Sequence, residues 1–140
     1  MSTVRITHRL GTGSVKSILQ GEPLFRDMLR RGLLVETKAK HNLSDDPKRV
    51  DTGRLRSSIN TNITRTALGP VVRIGTTVKY AMWVHEGTGV FGPRGSRIYP
   101  KRAKVLKWNP KGSSKPVFRR SVAGMRPNHF LRNALPAARG

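Results

Sequence analysis

Hydrophobic positions between residues 22 and 42 recur every three or four residues, which is the spacing of one face of a helix. Glu22 and Pro23 suit a first helical turn, because proline needs no donor there and acids favour the positive end of the helix dipole. The pattern therefore predicts one long helix over residues 22–42. Gly32, in the middle of this helix, indicates close packing against another element.

Other segments alternate between apolar and polar residues, as a half-buried strand does. Residues 3–10 alternate with one polar interruption and predict an N-terminal arm or strand within residues 1–20. Residues 55–65 alternate again and predict a strand. Segments 71–75 and 78–84 are interpreted as strands, or for the second segment as a strand followed by a short helical turn.

The second half of the chain is rich in turn-forming residues. Residues 86–97 contain several glycines, which predicts a loop with positive backbone φ at several points. Residues 98–108 and 115–123 flank a turn-rich segment, so an antiparallel hairpin is predicted over 98–123. The closing stretch 127–138 has apolar residues at helical spacing and predicts a short helix that Pro136 weakens.

These elements define the predicted fold as α+β, in a single domain over residues 1–140. A polar connector separates the long helix from the segment 54–124, which is predicted to form a curved, mostly antiparallel sheet of four to five strands. The helix packs on this sheet, a β-hairpin projects from it, and a short C-terminal helix ends the chain.

Charge changes the functional picture, because the chain has 28 basic and 7 acidic residues and a net charge of +21. Residues 54–140 carry 18 basic side chains and a single acid, Glu86. A net charge of about 2–8 is usual for a small domain. The excess indicates an anionic partner, such as nucleic acid, an acidic protein face or an anionic membrane, the alternative being a solvated basic surface.

Basic residues are interspersed with aromatic ones in the predicted hairpin, and neither of its faces is cleanly apolar. One interpretation is a hairpin that projects toward a partner. The other is an ordinary solvated hairpin in which Trp108 and Phe118 pack across the strands. The candidate contacts to DNA or an acidic partner are Lys101, Arg102, Lys104, Lys107, Arg119 and Arg120.

Catalytic and metal-binding constellations are scarce, so the chain is expected not to be an enzyme and to hold no cofactor or metal. Cysteine is absent. His85 and Glu86 form the most suggestive pair, but neighbouring residues on a strand face opposite ways. His8, His41 and His129 are scattered along the chain. The longest apolar stretches fall far short of the roughly 20 residues that span a bilayer, so no membrane contact is expected.

Three stretches carry a family resemblance: DTGRLRSSI from Asp51, a stretch from Gly75 through YAMWVHEGTG to Gly89, and NHFLRNAL from Asn128. In this order they resemble the small neck and tail-completion proteins of long-tailed bacteriophages. The residues that match the family pattern are Asp51, Thr52, Gly53, Leu55, Ile59, Gly75, Tyr80, Ala81, Val84, Glu86, Gly87, Thr88, Phe130, Leu131, Ala134 and Leu135.

The resemblance implies a structural virion protein, made in the host cytoplasm, that joins head to tail as one subunit of a closed ring, a hexamer or a dodecamer. Its partners would be adjacent neck, tail or head-closure proteins and the genome DNA in the channel. Whether the ring is a tail-completion, tail-terminator or head-closure ring stays open. The alternative is a free basic nucleic-acid-binding protein.

Individual motif residues also have expected roles. Gly53 and Gly87 suit turns that need unusual φ. Asp51 is expected to cap or hydrogen-bond the turn before Leu55. The aromatic residues Tyr80, Trp83 and Phe130 are expected to anchor the core or an interface.

Overall fold

The computed structural model describes residues 12–45 and 51–139. The predicted strand at 3–10 lies outside these ranges, and residues 12–20 of the predicted N-terminal arm form a helix instead. The elements in chain order are α1 (Thr12–Gln20), α2 (Glu22–Asn42), α3 (Arg54–Ser58), β1 (Asn60–Thr66), β2 (Gly69–Gly75), α4 (Ala81–Glu86), a 3₁₀ turn (Gly89–Phe91), β3 (Leu106–Trp108), β4 (Val117–Arg119) and a C-terminal 3₁₀ helix (Arg132–Arg139).

Helix α2 has the bounds that the apolar spacing predicts. Proline stands in its first turn, and its last turn carries basic residues, as the helix dipole favours. Ion pairs one turn apart support the helix along its half-buried flanks: Arg31 Nε lies 2.6 Å from Asp27 Oδ2, and Lys40 Nζ lies 2.6 Å from Glu36 Oε1.

Strands β1 and β2 form an antiparallel hairpin on which α2 packs, with Thr66 opposite Gly69 at its closed end. The helix approaches this hairpin most closely at Gly32. A Cβ there would lie 2.6 Å from Val72 Cγ1 and 2.7 Å from Thr61 Cγ2. The Thr61 hydroxyl also donates a hydrogen bond to the Gly32 carbonyl oxygen at 3.2 Å. The close packing predicted for Gly32 is therefore confirmed.

The mixed helix and sheet class is confirmed, but the predicted sheet of four to five strands is wrong. The described residues form two separate sheets of two strands each. Leu55 lies in helix α3 rather than in a strand, and it is buried with Ile59. Residues four apart satisfy both the helical and the strand spacing, so the alternation could not distinguish the two. In segment 78–84 the helical turn of the second alternative is present as α4, but the strand expected before it is absent, since residues 79–80 form a turn.

The predicted hairpin over 98–123 is antiparallel as expected, but its strands β3 and β4 have only three residues each. One further bridge pairs Ile98 with Val122. Pro100 lies between this bridge and β3 and has no N–H to donate to a ladder, which shortens the pairing. The C-terminal helix is 3₁₀ rather than α, with Pro136 inside it.

The hydrophobic core lies between α2, α3, α4 and the C-terminal segment. It contains Val35, Ala39, Leu43, Leu55, Ile59, Ala81, Val84, Phe130 and Ala134. Leu43 follows α2 and closes it, because its N–H donates to the Ala39 carbonyl oxygen at 3.3 Å. None of the helices in the described ranges combines the length and apolar character of a membrane span.

Candidate functional site

The apolar residues of the three motif stretches meet in the core, although they are separated by up to about eighty positions in the chain. Six of them are buried, and they pack around the face of α2 that carries Val35 and Ala39. These six are Leu55, Ile59, Ala81, Val84, Phe130 and Ala134. Leu131 is partly buried against the same core, whereas Leu135 is exposed.

The two motif glycines expected to need unusual φ both have φ +79°. Gly53 precedes α3 with ψ −5°, and a Cβ there would meet nothing within 4 Å. Gly87 follows α4 with ψ 176°, a conformation that is essentially restricted to glycine. A Cβ on Gly87 would lie 2.9 Å from the carbonyl oxygens of Met125 and Phe91. Both turn assignments are confirmed, and Gly87 is the more constrained of the two.

The motif residue Thr88 fastens the glycine-rich loop to the segment before the C-terminal helix. Its N–H donates to the Met125 carbonyl oxygen at 2.9 Å, and its hydroxyl accepts from the Met125 N–H at 2.9 Å. Val90 N–H donates to the Ala123 carbonyl oxygen at 2.7 Å. A Cβ on Gly124 would lie only 2.1 Å from the Thr88 carbonyl oxygen, so the two backbones can meet this closely only at glycine.

One of the expected roles is wrong, and another is narrowed. Asp51 does not cap the turn before Leu55; its carboxylate pairs with Lys111, and the residue at the N-terminus of α3 makes no side-chain cap. Tyr80 and Trp83 are 38% and 56% exposed, which excludes an anchoring role in the core and leaves an interface as their expected place. Phe130 is fully buried and is the aromatic anchor of the core.

Residues 101–120, here named the basic hairpin, project from the fold. Seventeen of these twenty residues are exposed. All six candidate contact cations are among the exposed ones, and within the described ranges none of the six forms an ion pair with an acid. Their charge is therefore not neutralised by an acid within the described part of the fold.

The strand register excludes the packing of Trp108 against Phe118 that one interpretation of the hairpin assumed. Trp108 pairs with Val117, and Phe118 pairs with Lys107. Side chains of directly opposite residues share one face, and neighbouring residues take opposite faces. Trp108 and Phe118 therefore lie on opposite faces and do not pack across the strands. They are 40% and 53% exposed, and Lys107 Nζ lies 5.6 Å from the centroid of the Phe118 ring.

A second cluster joins residues that the sequence analysis regarded as scattered. His85 and His129 are 44 positions apart, but their ring centroids lie 5.1 Å apart in an edge-on arrangement. His85 Nδ1 lies 2.7 Å from Glu86 Oε1, and this hydrogen bond holds the pKa of the Glu86 carboxyl below its usual range. The Arg132 N–H donates to His85 Nε2 at 3.4 Å, so Nδ1 carries the proton that His85 shares with Glu86.

His129 reaches this cluster because the preceding residue, Asn128, is fixed in place. The Asn128 N–H donates to the Val84 carbonyl oxygen at 2.9 Å, and its side-chain amide donates to the Asn42 carbonyl oxygen at 3.0 Å. In return, the Asn42 side chain donates to the Phe130 carbonyl oxygen at 3.0 Å. The only sequence signal for this was that His85 and His129 both lie inside motif stretches.

In comparisons with known proteins, the chain matches no protein family, no curated protein and no solved structure.

Proposed function

We propose that this chain is a structural, non-enzymatic protein of a tailed-bacteriophage particle, and that it forms one subunit of a closed ring at the head–tail junction. The observation that carries the proposal is the role of the motif residues in the fold. Six of them make up most of the core, and two are glycines with positive φ. Half of the sixteen residues that carry the resemblance to neck proteins thus have positions that this fold requires.

The distribution of apolar side chains supports assembly with other subunits. In the part of the chain that the structure describes, nine hydrophobic residues are buried, whereas seventeen large hydrophobic residues are exposed. Single exposed apolar residues are ordinary, but contiguous ones mark interaction sites. A subunit that completes its burial at interfaces with its neighbours accounts for this excess.

Two exposed apolar patches lie in different parts of the fold. The first is a shallow groove on the outer side of α2 that includes Leu33 and Leu34, which are 48% and 39% exposed. The second is the exposed side of α4, where Met82 is 64% and Trp83 56% exposed. A head-to-tail ring needs two different complementary patches on each subunit, whereas a two-fold dimer needs only one.

The basic hairpin supports a position of the subunit beside the DNA channel. Its six candidate contacts form no ion pair among the described residues, and the same half of the chain has a single acid. Such a surface attracts DNA and neutralises the charge of phosphates that lie close to it. In the proposed ring, the hairpins of successive subunits line the DNA channel or face an acidic surface of an adjacent ring.

Native mass spectrometry of the purified chain over a range of concentrations tests ring formation. We expect a hexamer or dodecamer to appear as the concentration rises, and to weaken at least tenfold in Leu34→Gln and in Trp83→Ala. Leu68→Gln is the matched control, because Leu68 is 87% exposed in the turn between β1 and β2 and belongs to neither patch. A chain that stays monomeric at all concentrations, in the presence of phage heads and tails as well, argues against the proposal.

A free nucleic-acid-binding protein is the second candidate, and the exposed basic hairpin favours it. If all six cations bound phosphates of duplex DNA, the affinity would fall with a log–log salt slope of about −5. We expect the neck protein alone to bind duplex more weakly and with a smaller slope. A steep slope that disappears when the six residues are replaced by glutamine, together with absence from particles, would favour this second candidate.

A further inference from the structure

The cluster of His85, Glu86 and His129 brings together side chains that can bind a metal ion. Each of the three side chains places one ligand atom within 4.8 Å of those of the other two. His129 Nδ1 is buried and has no hydrogen-bond partner among the described residues. A buried ring nitrogen without a partner is costly, and a bound ion is one of the partners that account for such a group.

We propose that this cluster is a binding site for a divalent cation of the zinc class, held by the two imidazoles and the Glu86 carboxylate. Two imidazoles and one carboxylate suit Zn²⁺, and solvent would occupy the fourth position of a tetrahedral site. The site borders a cavity of about 650 Å³ that provides access from solvent. The inference stands on its own and does not depend on the proposed neck function.

The present geometry is close to that of a tetrahedral site. With metal–ligand bonds of about 2.0–2.1 Å, ligand atoms lie about 3.4 Å apart. His85 and Glu86, now 2.7 Å apart, have to separate slightly, and the contacts of His129 have to shorten from at most 4.8 Å. Metal binding replaces the hydrogen bond between His85 and Glu86, so the proton on Nδ1 moves to the other ring nitrogen. This move gives up the long contact with the Arg132 N–H, and the two N–H groups then have to move apart slightly.

Electrostatics set the expected affinity. Glu86 supplies one negative charge, whereas Arg132, which carries a positive guanidinium, lies beside His85 and lines the same cavity. The same guanidinium repels a cation at the site. We therefore expect micromolar affinity for Zn²⁺ rather than the much tighter binding of structural zinc sites, and we expect Arg132→Gln to tighten binding several-fold.

Isothermal titration of Zn²⁺ into the full chain, without a histidine tag, tests the site, and the absorption spectrum of bound Co²⁺ reports its coordination. We expect the wild-type chain to bind one ion per chain at this site, and we expect at least tenfold weaker binding in His129→Gln and Glu86→Gln. Glu86→Gln guards against loss of folding, because that side chain is 49% exposed and can be changed without disturbing the core.

His41→Gln is the matched control. His41 Nδ1 also pairs with a carboxylate, Asp45 Oδ2 at 3.0 Å, but no second imidazole joins that pair among the described residues. Binding should be unchanged in this variant. The proposal is overturned if the wild-type chain binds no Zn²⁺, or if folded His129→Gln and Glu86→Gln bind it as tightly as the wild type does.

Discussion

Replacing Gly87 by alanine should destabilise the fold far more than replacing Gly53 by alanine, although both glycines have φ +79°. At Gly53 the surroundings are open, so the cost is that of an L-residue in the left-handed region, about 1–2 kcal/mol. At Gly87 the conformation itself costs about 1–3 kcal/mol. The new Cβ would also lie 2.9 Å from two backbone carbonyl oxygens, and such overpacking adds about 1–3 kcal/mol.

The expected difference between the two variants is therefore about 2 kcal/mol or more in the free energy of unfolding. Urea denaturation followed by circular dichroism measures it, with equal m-values showing that the unfolded states are comparable. Gly53→Asn is a further control, because asparagine tolerates the left-handed region and should cost less than alanine there. Equal destabilisation by Gly53→Ala and Gly87→Ala would refute the assignment of Gly87 to a crowded, glycine-only turn.

Three further predictions concern the helix packing, the acid dependence and the core. Gly32→Ala should destabilise by about 1–2 kcal/mol in urea melts, because the clash with Val72 and Thr61 outweighs the helix propensity gain, whereas Gly13→Ala, with open space around it, should be neutral or stabilising. For Glu36, burial raises its pKa, but hydrogen bonds from Lys40 and Thr61 outweigh it and leave the pKa below 4.5. Because the pKa is lower in the folded state, ionised Glu36 stabilises the fold above pH 4.5, and this contribution is lost as the pH falls through the folded-state pKa. Glu36→Gln should therefore flatten the acid limb of a plot of stability against pH. Phe130→Ala should cost about 3–5 kcal/mol in thermal melts and Leu135→Ala under about 0.5, since the former side chain is fully buried and the latter exposed.

Local patterns predicted some elements well, because the deciding interactions are local. The bounds of α2 follow from apolar spacing and charge at its ends, and the positive φ of Gly53 and Gly87 follows from the need of tight turns for glycine. The sheet was not predictable to the same degree. Leu55 and Ile59 fit both helical and strand spacing, and nothing in the alternation shows which strands pair with which.

In the candidate site, too, one part was predictable from local sequence and another was not. The exposure of the basic hairpin followed from two faces that are both mixed in character. The cluster of His85, Glu86 and His129 could not be predicted, because it depends on the hydrogen bonds of Asn128 with Val84 and Asn42, which join distant parts of the chain.

Electron microscopy of phage particles that carry a label on this chain tests the central claim most directly. The proposed function predicts label confined to the head–tail junction, at the copy number of a closed ring. Particles without label at the junction, with the labelled chain found instead on free nucleic acid in the lysate, would contradict it.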